Sequence, residues 1–277
     1  MHHIRKWYNV ISMDELAAEL GRGKGFCSPS VAVTIDDGYV NNYTFAFPIL
    51  KQLDLPATIY LTTGCIGTNK GLWVDDLEDM LMCTRAESIC VSGLAEGRSL
   101  DISSCRGKEE ALLKLFEMLV KLDHSKKVLY MQELCRAMRV EEVYKHGDAR
   151  KMLNWREVVE MNSEGICFGA HTVSHSTLSK MEFSEAKREI FESKIEIEAR
   201  IGSKVRHFAI PNGRVEDFNE ELKKYCKEIG MSSVVSTEPG SVSLQSDPYF
   251  LKRINPPAPI YMFACEMARY MFFKKME

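Results

Sequence analysis

The chain has 277 residues, with 36 Lys and Arg against 39 Asp and Glu for a net charge of -3, and 45% of it is hydrophobic. At about 150 residues per domain that length allows one large domain or two small ones, with apolar material enough for a full core. This composition excludes a disordered or collagenous chain. The near-balanced charge, with no basic stripe, argues against a nucleic-acid partner.

The predicted elements alternate between short β-rich runs and helices. Ser12 with Glu15 three residues on forms a capping box that opens a helix at MDELAAEL, and Gly21, Gly23 and Gly25 close it. Before it, no strand is predicted. VAVTI, from Val31 to Ile35, is a continuous apolar, β-branched run expected to form a buried parallel strand. A helix-compatible stretch through Phe45 and Leu50 leads to a second strand, ATIYL, from Ala57 to Leu61.

From about Trp73 to Asp148 the rhythm breaks. SICVSG and RSLDIS pattern as a small hairpin, and helices follow around ALLKLFEMLVKL and KVLYMQELCRAM. This stretch, about 73–148, is expected to be an insertion packed on a single catalytic domain spanning 1–277.

The alternation then resumes. Asn154 with Glu157 starts a helix at WREVVEM; ICFGA is a third strand; Ser184 starts a helix with Ala186, Ile190, Ile197 and Ile201 at core spacing and Gly202 just past its end. HFAI follows as a fourth strand. Phe218, Leu222, Cys226 and Ile229 form the face of the next helix, and MSSVVS and YFLKRI are the last two strands. Buried parallel strands separated by amphipathic helices define an α/β sheet or barrel.

The nine cysteines are odd in number and contain no C-x-x-C, which gives a cysteine zinc site no support and suits thiols kept reduced. The N-terminal MHHIRKWYNV lacks the apolar segment of a signal peptide. The apolar tail from Ile260 carries Glu266 and Arg269 and is too short to cross a bilayer. It is expected to be a docked helix, and the chain to have no transmembrane segment and a cytoplasmic location. No oligomeric state is legible.

Polar residues follow several strand runs directly: Asp36-Asp37-Gly38 after VAVTI, His171 after ICFGA, Pro211-Asn212-Gly213 after HFAI, and Arg253 at the end of YFLKR. Parallel α/β folds build their sites beyond the C-terminal ends of the strands, so these groups are predicted to converge on one rim. Adjacent aspartates at a strand exit point to different sides, and one can ligate a cation while the other stays free as a proton acceptor. His171 and His175, at i and i+4, can face one ion, although two solvated histidines on a turn would share that spacing. Two imidazoles with Asp37 would make a facial set with open positions, which is the arrangement of a catalytic zinc or related divalent ion. Such an ion acidifies water and polarises a carbonyl, and the neighbouring Asp36 would take the water's proton.

TIDDG, the H-x-x-x-H of GAHTVSH and FAIPNG, in this order, resemble the first three motifs of the polysaccharide deacetylase (NodB-type) family, carbohydrate esterase family 4. The flanking AFPILKQLDLPATIYLTTGCIG, NWREVVEMNSEGI and HFAIPNGR agree with it, and the similarity runs from about Ser12 to Ile254. The resemblance implies a distorted (β/α) barrel and metal-dependent removal of an acetyl group from an N-acetylated sugar, less often from an O-acetylated one. By motif position it makes Asp36 the base, Asp37, His171 and His175 the ligands of one divalent ion (zinc first), and the Asn212 N–H an oxyanion donor. Pro211 and Gly213 flank that donor as substrate contacts.

The chain departs from the family pattern at three places. Ala209 stands where members often carry an arginine that orients the base, and Arg253 is the candidate substitute, with a purely structural ion pair as the alternative. The late leucine-x-histidine motif that supplies the general acid has no counterpart, since no histidine follows His207; His207 itself is expected to be a strand residue. The usual first strand is also missing, which predicts a barrel open at its N-terminal end. Trp73, Trp155 and Tyr60 are candidates to stack on sugar rings, with core packing the better expectation for Trp155. These departures keep two alternatives in view: an amidohydrolase on a non-sugar amide, and a glycan-binding protein of weak activity.

Overall fold

The computed structural model describes residues 1–23, 29–90, 99–140, 150–257 and 259–272. A short helix α1 (His2–Trp7) leads into strand β1 (Asn9–Ile11), and Ser12 caps helix α2 (Met13–Arg22) through the expected capping box with Glu15. β1 corrects the expectation that no strand precedes Ser12. It pairs in parallel with β2 (Ser30–Ala32), Val10 opposite Val31. Three residues are too few to show a period, so only the pairing reveals it as a strand.

VAVTI is one run in two sheets. Its first half is β2, and its second half, β3 (Thr34–Ile35), pairs with β4 (Thr58–Leu61). Between them lies a π-helical turn (Asn42–Ala46) running into α3 (Phe47–Gln52). The main sheet continues with β7 (Cys167–Ala170), β8 (His207–Ala209), β9 (Ser233–Pro239) and β10 (Leu251–Arg253), all parallel, in the order β10-β9-β8-β7-β4-β3. With β1 continuing beyond β2, this is a curled α/β half-barrel. Among the described residues no ladder joins β1 to β10, so the barrel is open there, at the N-terminal edge as expected.

Helices α7 (Trp155–Ser163), α8 (Phe183–Ile201) and α9 (Glu220–Glu228) cover the outer face together with α3. Asn154 caps α7 with Glu157, and Gly202, at φ 69°, ends α8 in the left-handed conformation. α9 starts from an Asn219 cap, so Phe218 precedes the helix rather than lying on it, yet remains buried. The outer core joins Leu50, Ile59, Phe168, Ile190, Ile197, Phe208 and Leu222. A smaller interior cluster fills the curl with Ile11, Tyr60, Ala209, Val235 and Leu251. Each large apolar side chain so buried contributes roughly 1.5–3 kcal/mol relative to exposure.

The stretch read as an insertion has an apolar cluster of its own. Helices α4 (Trp73–Cys83), α5 (Cys105–Leu119) and α6 (His124–Met138) close over a two-residue hairpin, β5 (Ser88–Ile89) with β6 (Leu100–Asp101), around Leu77, Leu81, Ile102, Leu115 and Leu134. The ends of the SICVSG–RSLDIS hairpin and of the insertion fall at 91–98 and 141–149, outside the described residues. α10 (Ile260–Phe272) ends the described chain, with Met267 buried and Tyr261 and Met262 exposed. No described helix is long and apolar enough to cross a membrane. No disulfide joins the eight described cysteines.

The interior cluster is tight at Gly169, where an added Cβ would lie 2.4 Å from the Tyr60 ring and 2.9 Å from the His207 carbonyl oxygen. Gly169→Ala is therefore expected to destabilise the fold by about 1–3 kcal/mol through overpacking, read as a lower urea midpoint at unchanged slope.

Candidate active site

The site forms at the C-terminal ends of β3, β7, β8 and β10. As β3 ends, the Gly38 N–H donates to the Asp36 carbonyl (3.0 Å) around Asp37 at φ 76°, a γ-turn, and Gly38 follows at φ 89°. A side chain at Gly38 would meet Leu61 Cδ2 at 2.7 Å, so both the conformation and the space require glycine. The turn sends the two carboxylates to different partners.

Asp36 meets Arg253 in a bidentate pair, Nη1 to Oδ1 at 2.7 Å and Nη2 to Oδ2 at 2.6 Å. Arg253 is fixed in turn by donating from Nε to the Ser236 carbonyl (2.7 Å) and from Nη1 to Thr34 Oγ1 (3.4 Å). Burial works against its charge, but the Asp36 carboxylate outweighs that and raises its pKa further, so the guanidinium stays charged. Ala209, the position expected to lack an orienting arginine, does lack one, and its side chain packs in the interior cluster.

Asp37 turns toward the histidines. Its Oδ1 lies 3.3 Å from His171 Nε2 and 3.4 Å from His175 Nε2, and one ligand atom from each of the three residues falls within 4.8 Å of the others. His171 Nδ1 sits 2.7 Å from the Ala209 carbonyl oxygen, which only accepts, so Nδ1 carries the proton and Nε2 presents its lone pair to the site. Burial opposes ionisation of Asp37, yet the histidines overcome it and lower its pKa. Burial likewise opposes the charged form of His171, but the Asp37 carboxylate facing its Nε2, together with Asp36, raises its pKa. His175 has no such relief: burial and the neighbouring imidazole push it down to about 4, which keeps it neutral. Asp37 Oδ1 and His175 Nδ1 are buried without a hydrogen-bond partner. A carboxylate oxygen left unsatisfied between two ring nitrogens is the donor set a small divalent cation fits.

Asn212 (φ 61°) and Gly213 follow β8. Asn212 Nδ2 donates to Thr177 Oγ1 at 2.9 Å, and Thr237 Oγ1 donates to the Asn212 carbonyl, so the turn is tied both to the end of the histidine loop and to β9. Pro211 is buried at its start.

Several expected roles do not survive the geometry. Tyr60 is fully buried in the interior. Trp73 is 9% exposed, stacked on Phe116 at 5.5 Å and covered by Lys127 Nζ at 4.3 Å. Trp155 packs against the Arg200 guanidinium at 5.1 Å. Neither Tyr60 nor Trp73 presents a face to a sugar, and Trp155 packs against the core as expected. His207 is a satisfied strand residue as expected, bonded to Ser233 Oγ (2.9 Å) and Asp14 Oδ1 (3.2 Å).

Sequence reasoning missed the supports of the histidine loop. Glu189 of α8 accepts from the Val173 and Ser174 N–H groups (2.8 and 2.9 Å) and from Ser174 Oγ (2.8 Å). On the other side, the Trp73 indole N–H donates to the His175 carbonyl (3.2 Å), and His124 Nδ1 lies 3.1 Å from Ser176 Oγ. Lys127 is 2% exposed, its amine has no hydrogen-bond partner, and burial depresses its pKa to about 8 against weak support from Asp123 and Glu189. The available signal was a charged residue on an otherwise apolar helix face: Glu189 beside Ala186 and Ile190, and Lys127 in line with Leu134 and Met138.

Comparison with known proteins agrees with this geometry. A family model described as polysaccharide deacetylase matches residues 23–91 and 115–234, and the chain belongs to that family. The chain is 21% identical over 247 residues to the Bacillus subtilis (strain 168) protein YxkH, assigned by name to the polysaccharide deacetylases; the match covers 89% of this chain and 58% of that protein's length. In fold it is similar to the Streptococcus pyogenes deacetylase PplD in complex with acetate, at TM-score 0.56, 17% identity and coverage of 91% of this chain and 75% of that one. It is also similar to the BpsB deacetylase domain of Bordetella bronchiseptica, at TM-score 0.56, 16% identity and coverage of 91% and 81%.

Two outcomes test the electrostatics. Arg253→Met leaves Asp36 without its partner and is expected to cost about 3 kcal/mol of unfolding free energy in urea, because the pair is largely shielded from water. For Lys127 the folded pKa, about 8, lies below the ordinary 10.5, so between those values the unfolded chain holds more protons and stability rises with pH. Lys127→Met is expected to remove that alkaline rise and to be more stable than the parent at pH 7, both read by urea unfolding across pH 7–11.

Proposed function

We propose that this chain is a metal-dependent hydrolase that removes the acetyl group from an N-acetylated sugar of a polysaccharide, oligosaccharide or glycan precursor. The observation that carries the reading is the divided aspartate pair: Asp37 Oδ1 left unsatisfied between two imidazole Nε2 atoms, with Asp36 clamped by Arg253 on the next residue. Family membership supports it.

In this reading Asp37, His171 and His175 hold one divalent ion, with zinc the first choice for two imidazoles and a carboxylate. When bound, the ion supplies Lewis acidity to the amide carbonyl and acidifies a water. Asp36 accepts the proton of the attacking water, and the Arg253 fork aims its carboxylate. As the water oxygen bonds to the carbonyl carbon, the Asn212 N–H donates to the negative charge gathering on the carbonyl oxygen. Pro211 and Gly213 shape the substrate edge beside that donor. The carbon–nitrogen bond then breaks, acetate leaves, and the sugar nitrogen takes a proton. With no histidine beyond His207, Asp36, now protonated, is the group that returns it.

The test is acetate release from N-acetylated oligosaccharides with chelator, after zinc is restored, and with Asp36→Asn. Chelation is expected to abolish turnover and zinc to recover it. Asp36→Asn is expected to lower kcat about 10²- to 10⁴-fold with metal content unchanged. Equal rates with and without chelator would overturn the mechanism.

A further inference from the structure

We propose that the insertion is the positioning device of the metal centre, and that Trp73, pressed by Lys127, sets the geometry of His175. The inference rests on Asp37, His171 and His175 being the ligands.

The two histidines are fixed in different ways. His171 leaves β7 directly, its backbone N–H donates to the Leu61 carbonyl (3.0 Å), and its ring is locked by the Ala209 carbonyl. His175 lies in the loop beyond, with backbone φ 53° and an Nδ1 that bonds to nothing. No hydrogen bond at Nδ1 locks the ring as the Ala209 carbonyl locks that of His171, so its direction comes largely from its backbone. Two contacts hold that backbone: its N–H donates to Thr172 Oγ1 (3.0 Å), and its carbonyl accepts from the Trp73 indole (3.2 Å). The first is local to the loop. The second reaches across 102 residues and belongs to the insertion.

Trp73 is itself held by the insertion, against Phe116 of α5 and Lys127 of α6. An ammonium over an indole draws electron density from the ring, which sharpens the N–H as a donor. The position is otherwise unfavourable for a lysine. It lies near the start of α6, where the helix dipole repels a cation, and it is buried without a hydrogen-bond acceptor. Stability alone does not account for a charge placed there, whereas the clamp on His175 does. His124 strengthens the same clamp from α6 through Ser176, while Glu189 holds the loop's other side from α8.

Trp73 and Lys127 are thus positioning residues, and metal affinity reads their role without turnover. Apoprotein of the parent, Trp73→Phe and Lys127→Met would be titrated with zinc against a chromophoric chelator and with cobalt by visible spectroscopy, folding being followed by circular dichroism. The parent is expected to bind one equivalent. Trp73→Phe keeps the aromatic stack but loses the donor, and is expected to bind about 10- to 100-fold more weakly with altered cobalt bands. Lys127→Met, which removes a buried charge and so remains folded, is expected to weaken binding several-fold in the same direction. Parental affinity and cobalt spectra in a folded Lys127→Met and in Trp73→Phe would overturn the inference and leave the ligand assignment standing. A parent that binds no stoichiometric metal would overturn the ligand assignment itself.

Discussion

Two neighbouring carboxylates leave one strand in different directions, and the arrangement of the site follows from that parting. The γ-turn at Asp36-Asp37-Gly38 is a strained local conformation. It persists because each aspartate is held from elsewhere: Asp36 by the guanidinium on β10, and Asp37 by the Thr62 N–H at its carbonyl and the two imidazoles at its side chain. Were the strand to continue straight, the carboxylates would alternate across the sheet and could not serve one centre. Strain gathers at the exits of the strands, where Asp37, Thr172, His175 and Asn212 all take positive φ, while Asp54 and Arg139 do so at helix ends. The barrel below is ordinary packing.

Electrostatically the site is two units side by side. Arg253 with Asp36 is a closed pair in which charge cancels and geometry is fixed by a planar fork. Asp37 with His171 and His175 is an open set in which one negative oxygen is shared by two nitrogens and satisfied by neither. The low pKa of His175 keeps that ring neutral, and the bond from Nδ1 of His171 to the Ala209 carbonyl turns its Nε2 inward, so both Nε2 atoms face Asp37 Oδ1. The first unit suits a proton acceptor and the second a cation, which is why the same dipeptide can supply both.

Much of this was legible from the chain. The strand runs, the capping boxes at Ser12 and Asn154, the glycine after α8 and the polar residues after each strand are local signals, and they place Asp36, Asp37, His171 and Asn212 on one rim without any knowledge of contacts. What stayed hidden is long-range. β1 became a strand only through β2, too short to carry a pattern of its own. The aromatic side chains offered for sugar stacking turned inward because exposure depends on what lies over a ring, which spacing does not encode. The bond from Trp73 to the His175 carbonyl joins the insertion to the loop after β7, 102 residues along the chain, and no periodicity marks it. The charged residues on buried helix faces, Glu189 and Lys127, were the one readable trace of these supports.

The pairing of Asp36 with Arg253 has a consequence for how the protein comes into being. The two residues stand 217 positions apart, near opposite ends of the chain. A nascent polypeptide emerging from the ribosome displays the aspartates first, the histidines next and the guanidinium last of these groups. Until then the carboxylate has no fork to aim it, so a product truncated before β10, however well the earlier strands collapse, would leave Asp36 without its partner.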